Sequence, residues 1–520
     1  ALVPLLIAGA GVCTLGVITR FVHVRSRGTE REPSRIPLAA PALLFVVGIL
    51  GLGVASTRSD ILENGLLRKP AGRTLAWVVN RLTDVDRDGY GIVGRASDAD
   101  PFDPAVYPYA VDVPGNGIDE DGVGGDLPAA TAPFEDAPVP SAPWTRRPDV
   151  VLVVLESFRA DVVGGRVDGR PVTPVLDGLT KAGLRLDAAY SHNGYTVQSR
   201  FHLFTGGLAG APGSSSLIDD FTAEGYAVGY VSGQDESFGG PLYDIGFGRA
   251  AFARDARSNR AERYSTASTP GSLAVPFHVV ERGAGEFVES VPRDRPLFLC
   301  VNFHDTHFPY WHERITSITG TERLPRERIV PDERDRLMAT YTNTAANVDR
   351  AIGAVLETVR RVRGVEPAVI VISDHGESLF DGGFLGHGYD LNDSQTRVPL
   401  VVANLPVALP DPFVQADLRG AVLRAMQAPA ELRSPTRVPR AADAPVFQYL
   451  GELSRPRQVA FLDRRGRLVY DFRSRRVQLR AGTWVRPGDM PKEEENDFLE
   501  LIRYWERIHL ARAPKWRRNA

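Results

Sequence analysis

Three short stretches of this chain carry residue types that could act together. VVLVVLE at 150–156 ends on Glu156, AVIVISDHGES at 368–378 sets Asp374 beside His375, and SHNGYTVQSRFHLFTGG at 191–207 places Thr196 four residues ahead of Arg200. Two carboxylates and an imidazole make an oxygen and nitrogen ligand set for one divalent cation, Zn²⁺ or Mn²⁺ first, with Mg²⁺ or Ca²⁺ also admissible. A threonine hydroxyl is a poor nucleophile in water; coordination to such a cation would activate it and polarise the oxygens of the group under attack. VQSRFHLFTG can open a helix with Thr196 in its first turn, where free amides and the helix dipole favour an anion. Arg200, one turn on, would offer a fork of donors to nonbridging oxygens. Taken singly, a carboxylate closing a strand, a turn before a helix, or a capping threonine with a surface arginine explains each stretch without chemistry.

Such residues need a scaffold that brings distant segments to one edge. Continuous β-branched runs at 150–156, 227–233, 297–303 and 368–373 alternate with segments of helical character. That pattern predicts an α/β fold, a mostly parallel sheet sandwiched by helices. In such sheets ligands bind outside the carboxyl ends of the strands, where Glu156, Asp374 and His375 all fall. Past residue 430, QVAFLDRRGRLVYDF and EEENDFLELIRYWERIHL read as short strands with tight turns and then an amphipathic helix, a smaller C-terminal α+β lobe.

The N-terminal segment is of another kind. Residues 1–19 and 36–57 hold no charged side chain, and each is long enough to cross a bilayer. Between them, RFVHVRSRGTEREPSR carries five arginines against two glutamates, a bias that assigns the loop to the cytoplasm and everything after residue 57 to the outer face. A cleavable signal peptide is the alternative for the first span, opposed by the lack of a basic stretch before it and by the second span. The chain opens on Ala1 rather than Met, which leaves room for spans upstream. Residues 58–82 could form a short helix against the membrane surface or a plain connector.

The segment 83–127 packs aspartates at two-residue spacing around glycine, as in the calcium loops of Asp-rich extracellular repeats. Asp84, Asp86 and Asp88 project hard oxygen ligands, and Gly89 permits the turn. Arg95 stands where a helix-loop-helix site would want glutamate, so Asp98, Asp100 and Asp103, or Asp119 and Asp121, must complete the structural calcium cage. An acidic, solvated linker is the other reading. Residues 128–147 are a proline-rich spacer. The expected division is therefore 1–57 membrane spans, 58–82 juxtamembrane, 83–127 calcium loops, 128–147 linker, 148–405 catalytic domain and 406–520 C-terminal subdomain. A net charge of −3 excludes the chain-wide basic field of a nucleic-acid binder. Cys13 and Cys300 lie in apolar runs as small hydrophobes, with no disulfide framework.

In order along 148–405, PDVVLVVLESFRAD, VTPVLDGLTKAGLRLDAAYSHNGYTVQSRFHLFTGG, NFHDTHFPY, YTNTAANVDRAIGAVLE, ISDHGES, GHG and RVPLVV resemble the sulfatase branch of the alkaline phosphatase superfamily. The motifs are most similar to membrane-bound lipoteichoic acid synthases and phosphoethanolamine transferases. That resemblance implies that Glu156 belongs to the first metal motif, where sulfatases usually carry paired aspartates and the transferases Glu. It implies the nucleophile position for Thr196, where sulfatases hold the Cys or Ser that becomes formylglycine; threonine cannot yield that aldehyde. Arg200 matches the motif arginine, Asp374 and His375 the second metal motif, and His307 and His387 positions that contact the transferred group or its leaving oxygen. His304 is a weaker match, His192 and His202 flank the nucleophile without an assigned role, and Tyr341, Asp349 and Gly353 look like helix-packing positions.

The resulting expectation is a multi-pass protein of the cytoplasmic membrane with its catalytic domain on the outer, periplasmic or extracellular, face. It would be a metal-dependent phosphotransferase or phosphodiesterase acting through Thr196 on a phosphodiester such as a lipid headgroup. The alternatives are a hydrolase of sulfate or phosphate esters on a small molecule or glycan, and a non-catalytic, calcium-dependent surface binding protein.

Overall fold

The computed structural model describes residues 69–93, 97–210, 213–240, 243–264, 273–429, 431–441 and 444–512, together with Gly48, Gly51 and Gly65. Apart from Gly48 and Gly51, the spans expected over 1–19 and 36–57 lie outside the described residues. Among the described residues no helix is long and apolar enough to cross a membrane. The chain divides into two compact units, Ala1–Ala129 and Ala130–Ala520.

In the first unit, helix α1 (Pro70–Thr83) begins with proline, whose missing N–H costs nothing in a first turn. Residues 84–129 follow as turns, with neither helix nor strand among those described. Aspartates hold these turns: Asp84 accepts from the Arg87 amide, Asp88 from Tyr90 and Asp98 from Asp100.

In the second unit the apolar runs become the middle of a seven-stranded sheet. Its strands are β1 (Val150–Leu155), β2 (Leu184–Leu186), β3 (Ala227–Ser232), β4 (Phe252–Arg254), β5 (Leu297–Phe303), β6 (Ala368–Ser373) and β7 (Leu400–Ala403), in the order β2-β7-β6-β1-β5-β3-β4. Only β7 runs against the rest, antiparallel to both β6 and β2. Every residue of β1 is buried because successive side chains serve opposite faces. Val151, Val153 and Leu155 meet one helical layer, including Val280 and Phe287 of α4 (Phe277–Ser290) and Leu337 and Ile352 of α5 (Arg334–Arg363). Val150, Leu152 and Val154 meet the other, including Phe204 of α3 (Thr196–Thr205) and Leu418 and Val422 of α6 (Asp417–Met426). Two covered faces explain why the runs show no polar alternation.

The motif YTNTAANVDRAIG earns its place in α5 by packing. Both carboxylate oxygens of Asp349 accept backbone amides of α2 (Pro174–Ala182), from Val175 at 2.9 Å and Leu176 at 3.0 Å. These are two of the donors a helix start leaves unpaired. Gly353 sits at the crossing, where a Cβ would stand 2.9 Å from the Val175 side chain.

Beyond α6, strands β8 (Val446–Glu452), β9 (Arg455–Asp463), β10 (Gly466–Asp471), β11 (Arg476–Gln478) and β12 (Trp484–Val485) form an antiparallel meander. Helix α7 (Lys492–Arg512) buries Phe498, Leu501, Ile502 and Trp505, with the Trp505 indole donating to the Leu453 carbonyl at 3.0 Å. The proline-rich stretch 130–147 lies along this second unit instead of bridging open space. Trp144 sets its ring edge against Phe221, Phe134 bonds to Arg507, and Asp136 caps the amides of Leu208 and Ala209.

Candidate active site

Strand register assembles the site. Leu155 pairs with Ser373 on one side and with Phe303 on the other. The next residue of each strand, Asp374, Glu156 and His304, therefore emerges in line at the carboxyl edge, with neighbouring strands about 4.8 Å apart. Glu156 and Asp374 are side by side although 218 positions separate them.

The turn after Glu156 is costly and well fastened. Ser157 has φ 57°, a left-handed conformation that costs a non-glycine residue about 1–2 kcal/mol. Its amide donates to Asp374 Oδ1 at 3.0 Å. The Tyr341 hydroxyl donates to the Ser157 carbonyl at 2.7 Å and accepts from the Arg159 amide at 2.8 Å. Tyr341→Phe should strand both backbone groups inside the protein and cost about 1–3 kcal/mol, read as a lower urea midpoint with unchanged slope.

Thr196 is the first residue of α3. Its hydroxyl donates to Glu156 Oε1 at 2.9 Å and stands 3.2 Å from His375 Nε2. The preceding loop is pinned to the C-terminal meander: Gln448 donates to the Ser191 carbonyl, the Tyr449 amide to the His192 carbonyl, and Asn193 to the Gly451 carbonyl. Gly194 and Gly388 allow this loop to pass the His387 loop closely, since a Cβ on Gly388 would fall 2.3 Å from the Tyr195 ring.

His375 Nε2 lies 3.5 Å from Glu156 Oε1 and 3.7 Å from Asp374 Oδ2. Ligands about 2.0–2.2 Å from a tetrahedral ion stand roughly 3.3 Å from one another, so these separations fit a shared divalent cation. Asp374 Oδ2 is buried with no hydrogen-bond partner, which is unusual for a carboxylate unless something else satisfies it. The protonation pattern agrees. Burial and the Glu156 charge push the Asp374 carboxyl well up. Against its own burial, the His375 imidazole is raised to about 10 by the Asp374 charge and the Glu156 hydrogen bond. Glu156, despite burial, is held well below the carboxylate range by His375, His304 and His307.

Further imidazoles continue outward. His375 and His387 have ring centroids 4.2 Å apart, His387 and His307 5.4 Å, and His307 and His304 4.6 Å. Burial and crowding lower His387, and push His304 down to about 3. Glu377 Oε2 holds His387 Nδ1 at 2.6 Å, while the other Glu377 oxygen accepts from the Tyr310 hydroxyl. Tyr195, 40% exposed beside this group, marks the side open to solvent.

Arg200 is placed one step away. Its guanidinium is buried against both oxygens of Glu236, at 2.8 Å each, and against the Tyr230 hydroxyl. With the Gln234 amide nitrogen turned toward His304 Nδ1 (3.0 Å) and Glu156 Oε2 (3.3 Å), its oxygen accepts from Arg200. Two arms of the fork bind protein partners, one of them reaching the cluster through Gln234, while Nε is buried without a partner. His192 and His202 also serve packing: His192 Nδ1 meets the Phe447 carbonyl, and His202 bridges the Gly207 carbonyl and the Tyr449 hydroxyl.

The structure therefore brings together Glu156, Thr196, Asp374, His375, His387 and His307. Glu377, Tyr310, Gln234 and Glu236 had no place in the sequence reading. Gln234 and Glu236 lie two and four residues beyond the end of β3, near the same carboxyl edge where Asp374 directly follows β6. In the first unit, Asp84, Asp86 and Asp88 form one carboxylate group and Asp119 and Asp121 join Asp112, unanticipated, in another. Asp98 is buried, Asp100 is exposed, and Asp103 closes a local turn onto the Ala105 amide.

Fold and site together define a sulfatase-like enzyme, a hydrolase or transferase. Residues 148–411, more than half of the chain, match the Sulfatase family, and the chain belongs to it. No curated protein matches the sequence. Among solved structures, an alkaline phosphatase superfamily protein from Vibrio parahaemolyticus shares 17% identity over 71% of this chain and 87% of its own, with a TM-score of 0.46. The lipoteichoic acid synthase LtaP from Listeria monocytogenes shares 13% over 69% and 91%, with a TM-score of 0.45. The C-terminal periplasmic domain of EptC from Escherichia coli, solved with Zn, shares 17% over 58% and 90%, with a TM-score of 0.43.

Proposed function

We propose that this enzyme is a metal-dependent phosphotransferase or phosphodiesterase, anchored to the membrane with its site on the outer face, that uses Thr196 as nucleophile on a phosphodiester such as a lipid headgroup. The observation that carries the reading is the Thr196 hydroxyl, 2.9 Å from Glu156 Oε1 and 3.2 Å from His375 Nε2. Glu156, Thr196, Asp374 and His375 would hold one divalent cation, Zn²⁺ or Mn²⁺ by donor type. When bound, that ion would favour the alkoxide form of Thr196 and withdraw charge from the ester oxygens.

In the first step Thr196 Oγ1 gives up its proton to solvent water and bonds to phosphorus as the bond to the leaving alcohol breaks, giving a phosphothreonine that keeps the donor's second ester group. The departing oxygen takes its proton from water or from an imidazole on the open side, where His307 stands. In the second step an acceptor alcohol or water attacks that phosphorus, the bond to Thr196 Oγ1 breaks, and Oγ1 takes a proton from solvent water. Glu377 accepts from His387 Nδ1, so Nε2 carries the lone pair and can take the acceptor's proton. Arg200, through Gln234, steadies Glu156 and His304.

Glu377→Gln tests that orientation. It should lower kcat about 10- to 100-fold with KM little changed. Glu377 raises the His387 pKa against burial; without its charge that pKa falls, so the acid limb of the rate profile moves to lower pH. An unmoved limb would remove His387 from the reaction.

The substrate class is tested with the purified protein and added Mn²⁺ or Zn²⁺ on glycerophospholipids beside sulfate and phosphate monoesters of sugars. Release or transfer of a lipid headgroup supports the reading. Turnover of sulfate esters alone overturns it in favour of a sulfatase.

A further inference from the structure

We propose that the first unit is held in shape by two bound calcium ions, and that Asp112 completes the cage of the second. One carboxylate oxygen from each of Asp112, Asp119 and Asp121 lies within 4.8 Å of the other two. Asp112 is only 3% exposed. Its Oδ1 accepts from the amides of Glu120 at 2.9 Å and Asp121 at 3.3 Å, whereas its Oδ2 is buried and meets no hydrogen-bond donor. Burying an ionised oxygen beside two more carboxylates is strongly unfavourable unless a cation occupies the space between them.

The other cage is built on half-buried carboxylates, one of which, Asp84, also meets Arg81 at 3.5 Å. Asp84, Asp86 and Asp88 bring their oxygens within the same 4.8 Å. Asp98 is 6% exposed, and its Oδ2, like Oδ2 of Asp86 and of Asp88, lacks a donor.

The ligand chemistry selects the ion. All of these donors are carboxylate oxygens, which suits a hard cation and not zinc or copper. Magnesium demands a small, near-ideal octahedron and keeps several waters. Calcium accepts six to eight oxygens in irregular turns and takes carboxylates and backbone carbonyls together. This role is separate from the reaction centre and stands if the proposed phosphoryl chemistry fails.

The test uses the full chain carrying Asp374→Asn, which removes a ligand of the reaction centre, after treatment with chelator. Equilibrium binding of calcium should give two ions per chain with Kd of about 10⁻⁴ to 10⁻³ M. Adding Asp112→Asn or Asp86→Asn should lower the count to one in each case. In the protein without substitutions, calcium should slow proteolytic cleavage within 84–126 by about tenfold or more, and magnesium at the same concentration should not. No binding at about 10 mM calcium, above that affinity range, or a count unmoved by Asp112→Asn, would overturn the proposal. Equal protection by magnesium would overturn the choice of calcium.

Discussion

Thr196→Ala is expected to lower kcat about 10⁴-fold or more, the scale seen when a covalent nucleophile is deleted, while leaving the fold intact. The hydroxyl makes two hydrogen bonds at the start of α3, with Glu156 and His375, and the helix keeps its buried face, including Leu203 and Phe204. Stability should therefore fall by about 1–3 kcal/mol. Thr196→Ser returns the hydroxyl without the methyl group and should restore measurable turnover. The comparison is made by kcat on the headgroup donor with a urea denaturation curve beside each variant. Full turnover by Thr196→Ala would remove the nucleophile from the mechanism.

Asp374→Asn is expected to have the second largest effect, through the cation. The amide keeps an acceptor for the Ser157 and His375 backbone amides that Asp374 Oδ1 now serves, so the turn after Glu156 should survive. It replaces Oδ2, the buried oxygen with no donor, by an NH₂ group that repels a metal ion. Bound Zn²⁺ or Mn²⁺ should drop from one per chain to less than about a tenth, with activity falling about 10³-fold. Elemental analysis after purification without chelator reads the first number, and turnover with added metal the second. A variant that keeps its metal would place the ion elsewhere.

Much of this site is legible in the sequence because it stands at the ends of apolar runs. VVLVVL and AVIVIS announce buried strands by composition alone, and the residue after each is a ligand-type side chain. What the runs do not disclose is register: nothing in either segment says that Leu155 faces Ser373, and that pairing is what sets Glu156 beside Asp374. Thr196 is readable through its helix start, yet the loop carrying it is fixed by bonds to Gln448, Tyr449 and Gly451, contacts across some 250 positions that leave no local pattern. Arg200 shows the limit from the other side. Its spacing from Thr196 is visible, but its partners Glu236 and Tyr230 depend on where β3 lies in the sheet. Glu377 stood two positions from His375 and passed as part of a turn, because only the fold brings His387 and Tyr310 to it. Asp112 escaped for a similar reason, having no aspartate at two-residue spacing and meeting Asp119 and Asp121 only after the chain turns back.

The most direct measurement is made on Thr196 itself. Protein incubated with a glycerophospholipid of labelled headgroup and quenched in acid during turnover would be digested and mapped by mass spectrometry. The peptide spanning 191–207 should carry one donor-derived phosphoryl group on Thr196, formed in proportion to turnover and absent from both Thr196→Ala and Asp374→Asn. Steady turnover with that peptide unmodified, or the group found on another side chain, would contradict attack by Thr196.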